Sequence, residues 1–86
     1  MKFEATPLAG LTVVHPEPVE DARGRFERVF CDRELAALHP GLRAAQANLS
    51  LTLGRGSLRG LHYQVSPALE SKLVRCLRGR VFDVAV

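Results

Sequence analysis

Residues 45–53 alternate strictly. Ala47, Leu49, Leu51 and Leu53 fall on one side of an extended backbone, and Gln46, Asn48, Ser50 and Thr52 fall on the other. A period of two is a strand's, and its usual setting is a sheet with one face on a core and one in water. Here the polar face carries only amides and hydroxyls, where a wetted face normally mixes in Lys or Glu. A hydrogen-bonding cavity wall therefore stands as a rival to a wet face.

After a Gly54-Arg55-Gly56 turn, residues 57–64 place Arg59, His62, Tyr63 and Gln64 inside an otherwise apolar strand-like pattern. Polar groups this dense are costly in a sheet interior unless each finds a partner. Either the segment is an edge strand with wet side chains, or it lines a cavity where those groups meet a ligand. Strict alternation sends Arg59 and His62 to opposite faces. A β-bulge at Gly60 adds one residue and brings them to the same side, so a bulge is expected there.

The remaining segments read as short elements between breaks. Residues 11–14 form a strand ended by His15-Pro16-Glu17-Pro18, since proline neither donates to a ladder nor continues a helix. Asp21-Ala22-Arg23-Gly24 is a turn signature. Residues 25–30 follow as a strand, with Phe26 and Arg28 on one face and Arg25, Glu27 and Val29 on the other. Asp32 is the expected N-cap of a short helix over 33–38, stopped by Pro40-Gly41. His15 and His39 sit at breaks and read as solvated loop residues. Ser66-Pro67-Ala68 breaks the chain again.

Residues 72–77 and 80–86 flank Arg78-Gly79 and read as a hairpin. A two- or four-residue loop puts Lys72, Val74, Cys76, Val81, Asp83 and Ala85 on one face. Lys72 and Asp83 then become diagonal neighbours about 7–8 Å apart at the backbone. That is either an ordinary cross-strand ion pair, worth roughly 0–1 kcal/mol if exposed, or a sheltered pair belonging to a site. The sequence stops at Val86 within this apolar strand, which suggests part of something longer.

At 86 residues the chain is at most one domain, with a marginal core. No apolar run approaches the roughly 20 residues of a membrane span. The start, Met1 to Pro7, lacks the apolar centre of a secretory signal, so a cytoplasmic location is expected. Cys31 and Cys76 make neither a disulfide framework nor a metal knuckle. The net charge of +3 comes from arginines in three groups: Arg23, Arg25 and Arg28; Arg55 and Arg59; Arg75, Arg78 and Arg80. Without a basic helix, an aromatic platform or a nucleic-acid motif, a small phosphorylated ligand fits these forks better than a polymer.

One imidazole, one ammonium, several amides and arginines in a β-walled cavity suit proton transfer beside a carbonyl. A neutral His can take a carbon-bound proton at physiological pH. Lys72 can stabilise the resulting enolate, Asp83 can hold that ammonium charged and aimed, and arginines can grip a phosphate tail. Other chemistries fare worse. There is no His-x-His pair for a metal, no dinucleotide or phosphate-loop glycine pattern, and no partnered serine nucleophile.

The ordered blocks Arg59-Gly60-Leu61-His62-Tyr63-Gln64, Lys72-Leu73-Val74-Arg75 and Val81-Phe82-Asp83-Val84-Ala85-Val86 closely resemble the dTDP-4-dehydrorhamnose 3,5-epimerase family. Asp21-x-Arg23-Gly24-x-Phe26 and Gln46-x-Asn48-x-Ser50 resemble its earlier motifs. The resemblance implies an all-β, cupin-type jelly-roll barrel, of which residues 1–86 are the incomplete amino-terminal half with one short helix. It further implies a homodimer with neither metal nor organic cofactor, acting on a dTDP-linked 4-keto-6-deoxy sugar, with no nucleic-acid or membrane partner. His62 would remove protons from C3 and C5, Lys72 would stabilise the enolate at the C4 oxygen, and Asp83 would sit beside it. Arg23 and Arg59 would grip the diphosphate, Gln46 and Asn48 would bond the nucleotide sugar, and Phe26 would pack in the same pocket.

Arg28 departs from the pattern, standing where many members carry a carboxylate. The reprotonating Tyr and the Asp that orients the catalytic His belong to a C-terminal half beyond Val86. Tyr63 should face away from His62 and is not that tyrosine. The segment alone is expected to be inactive and poorly stable. The alternatives are an epimerase inverting one carbon, a non-catalytic sugar-nucleotide-binding cupin, and a small β domain with wet polar residues.

Overall fold

Lys2-Phe3-Glu4-Ala5 alternates charge and apolar bulk, and it makes the first strand of the computed structural model, which describes all 86 residues. β1 (Lys2–Ala5) pairs antiparallel with β2 (Thr12–His15) in the register Lys2↔His15, Phe3↔Val14, Glu4↔Val13, Ala5↔Thr12. Directly opposed residues share a face, so Phe3, Val14 and Thr12 lie together, and all three are half-buried. Glu4 and His15 are diagonal neighbours on the exposed face, with His15 Nε2 2.7 Å from Glu4 Oε2. His15 is thus a ladder residue rather than the loop residue its neighbouring proline suggested. The connecting loop is held by Thr6, whose hydroxyl donates to the Leu11 carbonyl at 2.9 Å and accepts the Leu8 amide at 3.2 Å.

The second hairpin joins β3 (Val19–Asp21) to β4 (Gly24–Phe26) across the two residues Ala22 and Arg23. Its turn is the one that Asp21-Ala22-Arg23-Gly24 predicts. The Asp21 carboxylate takes the Arg23 amide at 2.8 Å, and Gly24 has φ +137°, which side chains with a Cβ rarely adopt. The strand expected over 25–30 is shorter, ending at Phe26, because β3 offers only three residues to pair with.

α1 (Asp32–Leu35) is a single turn. Cys31, extended at φ −157°, takes the N-cap position with no side-chain cap bond, so Asp32 is the first helical residue and not the cap. Asp32 and Glu34 place negative charge at the helix start, where the dipole favours it. Tighter turns follow the helix: Ala37 donates to Glu34 and Leu38 to Leu35, so the expected helical path over 33–38 is kept in part. Leu35 is the one buried residue. The half-buried ones (Phe3, Val14, Pro16, Cys31 and Leu42 among them) all lie within the first 42 residues, and the small core is there.

Beyond residue 43 the predicted turns appear, but the strands between them do not. Ser57 closes on Gly54 through its amide (3.4 Å) and hydroxyl (2.8 Å), and Ala68 closes on Val65 at 2.8 Å. Residues 45–53, 57–65, 72–77 and 80–86 join no ladder, since the only sheets are the two hairpins. The hairpin predicted at Arg78-Gly79 is therefore not formed, nor is its Lys72–Asp83 register. The Gly60 bulge has no ladder to interrupt, although the backbone does leave the β region there with φ +112°.

The physical reason is a want of cover. Leu49, Leu51 and Leu53 are 82%, 78% and 92% exposed, and Phe82 is 95% exposed. Backbone hydrogen bonds number 18, against roughly 55–60 for a fully paired domain of this length. The accessible surface is 8581 Å², where a compact monomer of this mass has about 5,000 Å². Local signals suffice for turns, whereas a strand needs a second chain segment beside it. The fold is all-β in character: short antiparallel strands with one turn of helix.

Candidate active site

The β3–β4 hairpin builds one well-defined feature. Its turn projects Arg23, which Asp21 grips through Nε at 3.1 Å and Nη2 at 2.6 Å. That guanidinium, with the Arg23 and Gly24 amides, holds the Asp21 carboxyl below its ordinary range. Val19, Asp21, Arg23, Gly24, Arg25 and Phe26 line a shallow groove of about 410 Å³. Two of the expected substrate-binding residues, Arg23 and Phe26, line this open groove, with the Arg23 guanidinium held by Asp21.

Immediately after β4, Glu27 accepts from both Arg75 and Arg25. The two guanidiniums, Arg75 first, lower its carboxyl pKa against an opposing effect of burial. This is the only ion pair joining the chain beyond residue 43 to the hairpins. It ties the Lys72-Leu73-Val74-Arg75 block to the end of the groove-bearing hairpin. Sequence reading missed it; opposite charges 48 residues apart carry no pattern that announces a pair.

The other expected site residues are on the uncovered segments, and no ion pair or hydrogen bond joins one of them to another. Lys72 pairs with Glu70 at 3.0 Å and makes no ion pair with Asp83. Arg59 donates to the Leu51 carbonyl at 3.4 Å, which brings the His62 segment beside the alternating one. The His62, Asp83, Gln46 and Asn48 side chains are solvent-exposed and make no hydrogen bond. No group of three His, Cys, Asp or Glu side chains is disposed to hold a metal ion. No helix is long and apolar enough to cross a membrane.

A second charged cluster lies at the chain start and was also missed. The Met1 ammonium donates to Glu34 at 2.9 Å and to Glu17 at 3.0 Å, and Arg28 donates to Glu34 at 2.9 Å. Arg28 thereby ties the segment after β4 to α1.

Taken together, these features describe short antiparallel hairpins with an open groove lined by Arg23, Arg25 and Phe26. The chain belongs to the dTDP-4-dehydrorhamnose 3,5-epimerase family, whose model matches residues 5–86. It is 38% identical over 86 residues to a dTDP-4-dehydrorhamnose 3,5-epimerase of Sinorhizobium fredii, covering all of this chain and 44% of that protein. It is 40% identical over 87 residues to a dTDP-4-dehydrorhamnose 3-epimerase of Streptomyces niveus, covering all of this chain and 42% of the relative. A 3,5-epimerase of Methanothermobacter thermautotrophicus is 40% identical over 85 residues, or 99% of this chain and 45% of the relative. The chain thus spans less than half the length of these curated relatives. No solved structure matches it.

Proposed function

We propose that residues 1–86 supply the amino-terminal part of a single cupin-like domain of a nucleotide-sugar epimerase. The reaction is inversion of C3 and C5 of dTDP-4-dehydro-6-deoxy-D-glucose to dTDP-4-dehydro-L-rhamnose. The observation that carries this reading is the family match over residues 5–86, which contains every candidate site residue from Arg23 to Asp83.

The chemistry follows from the residue types. A C–H beside the C4 ketone is acidic because its conjugate base is an enolate. His62 takes that proton as general base, and the Lys72 side chain stabilises charge developing on the C4 oxygen, with Asp83 aiming Lys72. Return of a proton to the opposite face inverts the carbon, so protons and electrons balance with no net oxidation. Arg23 and Arg59 hold the diphosphate, Gln46 and Asn48 bond the nucleotide sugar, and Phe26 packs against it. The exchange of Asp21 for a diphosphate on Arg23 replaces one anionic partner with another.

Partner strands for residues 45–53, 57–65, 72–77 and 80–86 come, in this reading, from the portion of the relatives this chain does not span. Pairing with them closes a jelly roll, restores the Lys72–Asp83 face and gathers His62 with Lys72. The complete protein is a cytoplasmic homodimer. The Streptomyces niveus relative, named a 3-epimerase, supports a second reading in which one carbon is inverted.

Incubation of the full-length protein with the dTDP-sugar in deuterated water tests both. Deuterium at C3 and C5 supports double inversion, and deuterium at one position supports the second reading. His62→Asn should lower exchange by about 10²–10⁴-fold. Undiminished exchange in that variant rules out His62 as the base.

A further inference from the structure

We propose that Glu27, acting through Arg75, is a positioning residue that fixes the Lys72 segment against the hairpin bearing Arg23 and Phe26; this rests on the epimerase reading above. Three observations carry it. Glu27 is the sole anchor by which an ion pair holds the distal segments to the folded hairpins. Its side chain is only 14% exposed although the chain around it is open, and it accepts from two arginines at once. The third is parity. Along extended chain, successive side chains alternate between faces. In the strands that the epimerase reading gives these two segments, Glu27 falls on the face opposite Phe26, and Arg75, three residues beyond Lys72, on the face opposite Lys72. A bond between Glu27 and Arg75 fastens the two segments from behind, leaving Phe26 and Lys72 free to face a common ligand.

Arg25 completes the arrangement. Two residues before Glu27, it lines the groove beside Phe26 and also donates to the Glu27 carboxylate. Neither Glu27 nor Arg75 touches the reacting atoms in this scheme. Their effect is on where the Lys72 ammonium stands relative to the C4 oxygen, a geometry that matters most in the transition state.

The test is a double-mutant cycle in the full-length protein, reading deuterium wash-in and steady-state constants with the dTDP-sugar. Glu27→Gln and Arg75→Met should each lower kcat about 10- to 100-fold, as expected for misplacement of a catalytic group. KM should change little, and the double variant should be no worse than either single one. Additive losses, a loss confined to KM, or unchanged kcat in both single variants overturns the proposal. If a neutral variant fails to fold, Glu27→Asp and Arg75→Lys keep the charges while altering reach. Non-compounding kcat losses in that pair support the proposal, and full activity in both overturns it. Absence of exchange in the unmodified protein removes the epimerase reading and this inference with it. Exchange with an additive cycle removes this inference alone.

Discussion

Glu34 sits between two cations, the Met1 ammonium and the Arg28 guanidinium, and they draw its carboxyl from an ordinary 4.5 down to about 2. The same contacts, Glu34 first and Glu17 second, raise the Met1 amine above its ordinary 8.0. The signs define a window. A carboxyl depressed on folding contributes stability above about pH 4.5, and this is lost as pH falls toward 2. An amine raised on folding contributes fully below 8.0, and this is lost as pH climbs through its higher folded value. Amide exchange at Leu35 should therefore be slowest between about pH 5 and 8 after correction for intrinsic rates. Glu34→Gln should shrink the acid limb, leaving the part that Glu17 contributes, and acetylating the terminus should abolish the basic one; an unchanged profile in both would show that the cluster does not hold α1. None of this was legible in the sequence, because a terminal amine and side chains 16 and 33 residues away share no local pattern. Asp32 misled for a local reason: the Cys31 carbonyl already accepts the Leu35 amide at 2.9 Å, which moves the cap one residue earlier.

Among elements, the turns were readable and the ladders largely were not. Asp21-Ala22-Arg23-Gly24 specifies its own conformation through an Asx bond and a glycine, and the β3–β4 hairpin forms on it. Gly24→Ala isolates the backbone contribution, because an added Cβ meets nothing within 4 Å. The cost is then conformational, roughly 1–3 kcal/mol for forcing a β-carbon into that region. A two-stranded ribbon is marginal to begin with. Chemical shifts of Val19–Phe26 should collapse to random-coil values in that variant while those of β1 and β2 stay fixed. Retained hairpin shifts would mean the turn tolerates a side chain. The same reasoning explains why β1 and β3 escaped sequence reading: four residues at a terminus and three between Pro18 and a turn are too short for a period to register. Residues 45–53 show the converse. Their alternation is unmistakable, yet alternation states which face is apolar and says nothing about which segment pairs.

At the scale of the molecule, the candidate site divides along the same line. Arg23 and Phe26 lie on a locally specified hairpin and meet in one groove. His62, Lys72 and Asp83 lie on segments that join no sheet, and no ion pair or hydrogen bond links the three. Residue identity and spacing were enough to indicate the family, because chemistry-bearing types at fixed intervals survive in sequence. Their convergence in space is a tertiary property. A radius of gyration of 15.0 Å, against about 12 Å for a compact domain of this length, shows the same openness in the chain as a whole.

The uncovered leucines of residues 45–53 carry a further consequence. From Ala44 to Gly54 there is neither charge nor proline, and the side chains at 49, 51 and 53 stand almost wholly in water. A flat, uncharged, alternating stretch with free backbone donors and acceptors is a template for stacking identical copies into cross-β fibrils. The isolated chain should therefore become thioflavin-positive with time at micromolar concentration, and Leu51→Lys should delay that by at least several-fold, since a buried ammonium in a dry zipper is costly. Equal lag times for the two would place the nucleating segment elsewhere. The alternation that would suit these residues to one side of a sheet is also what makes them hazardous when left uncovered.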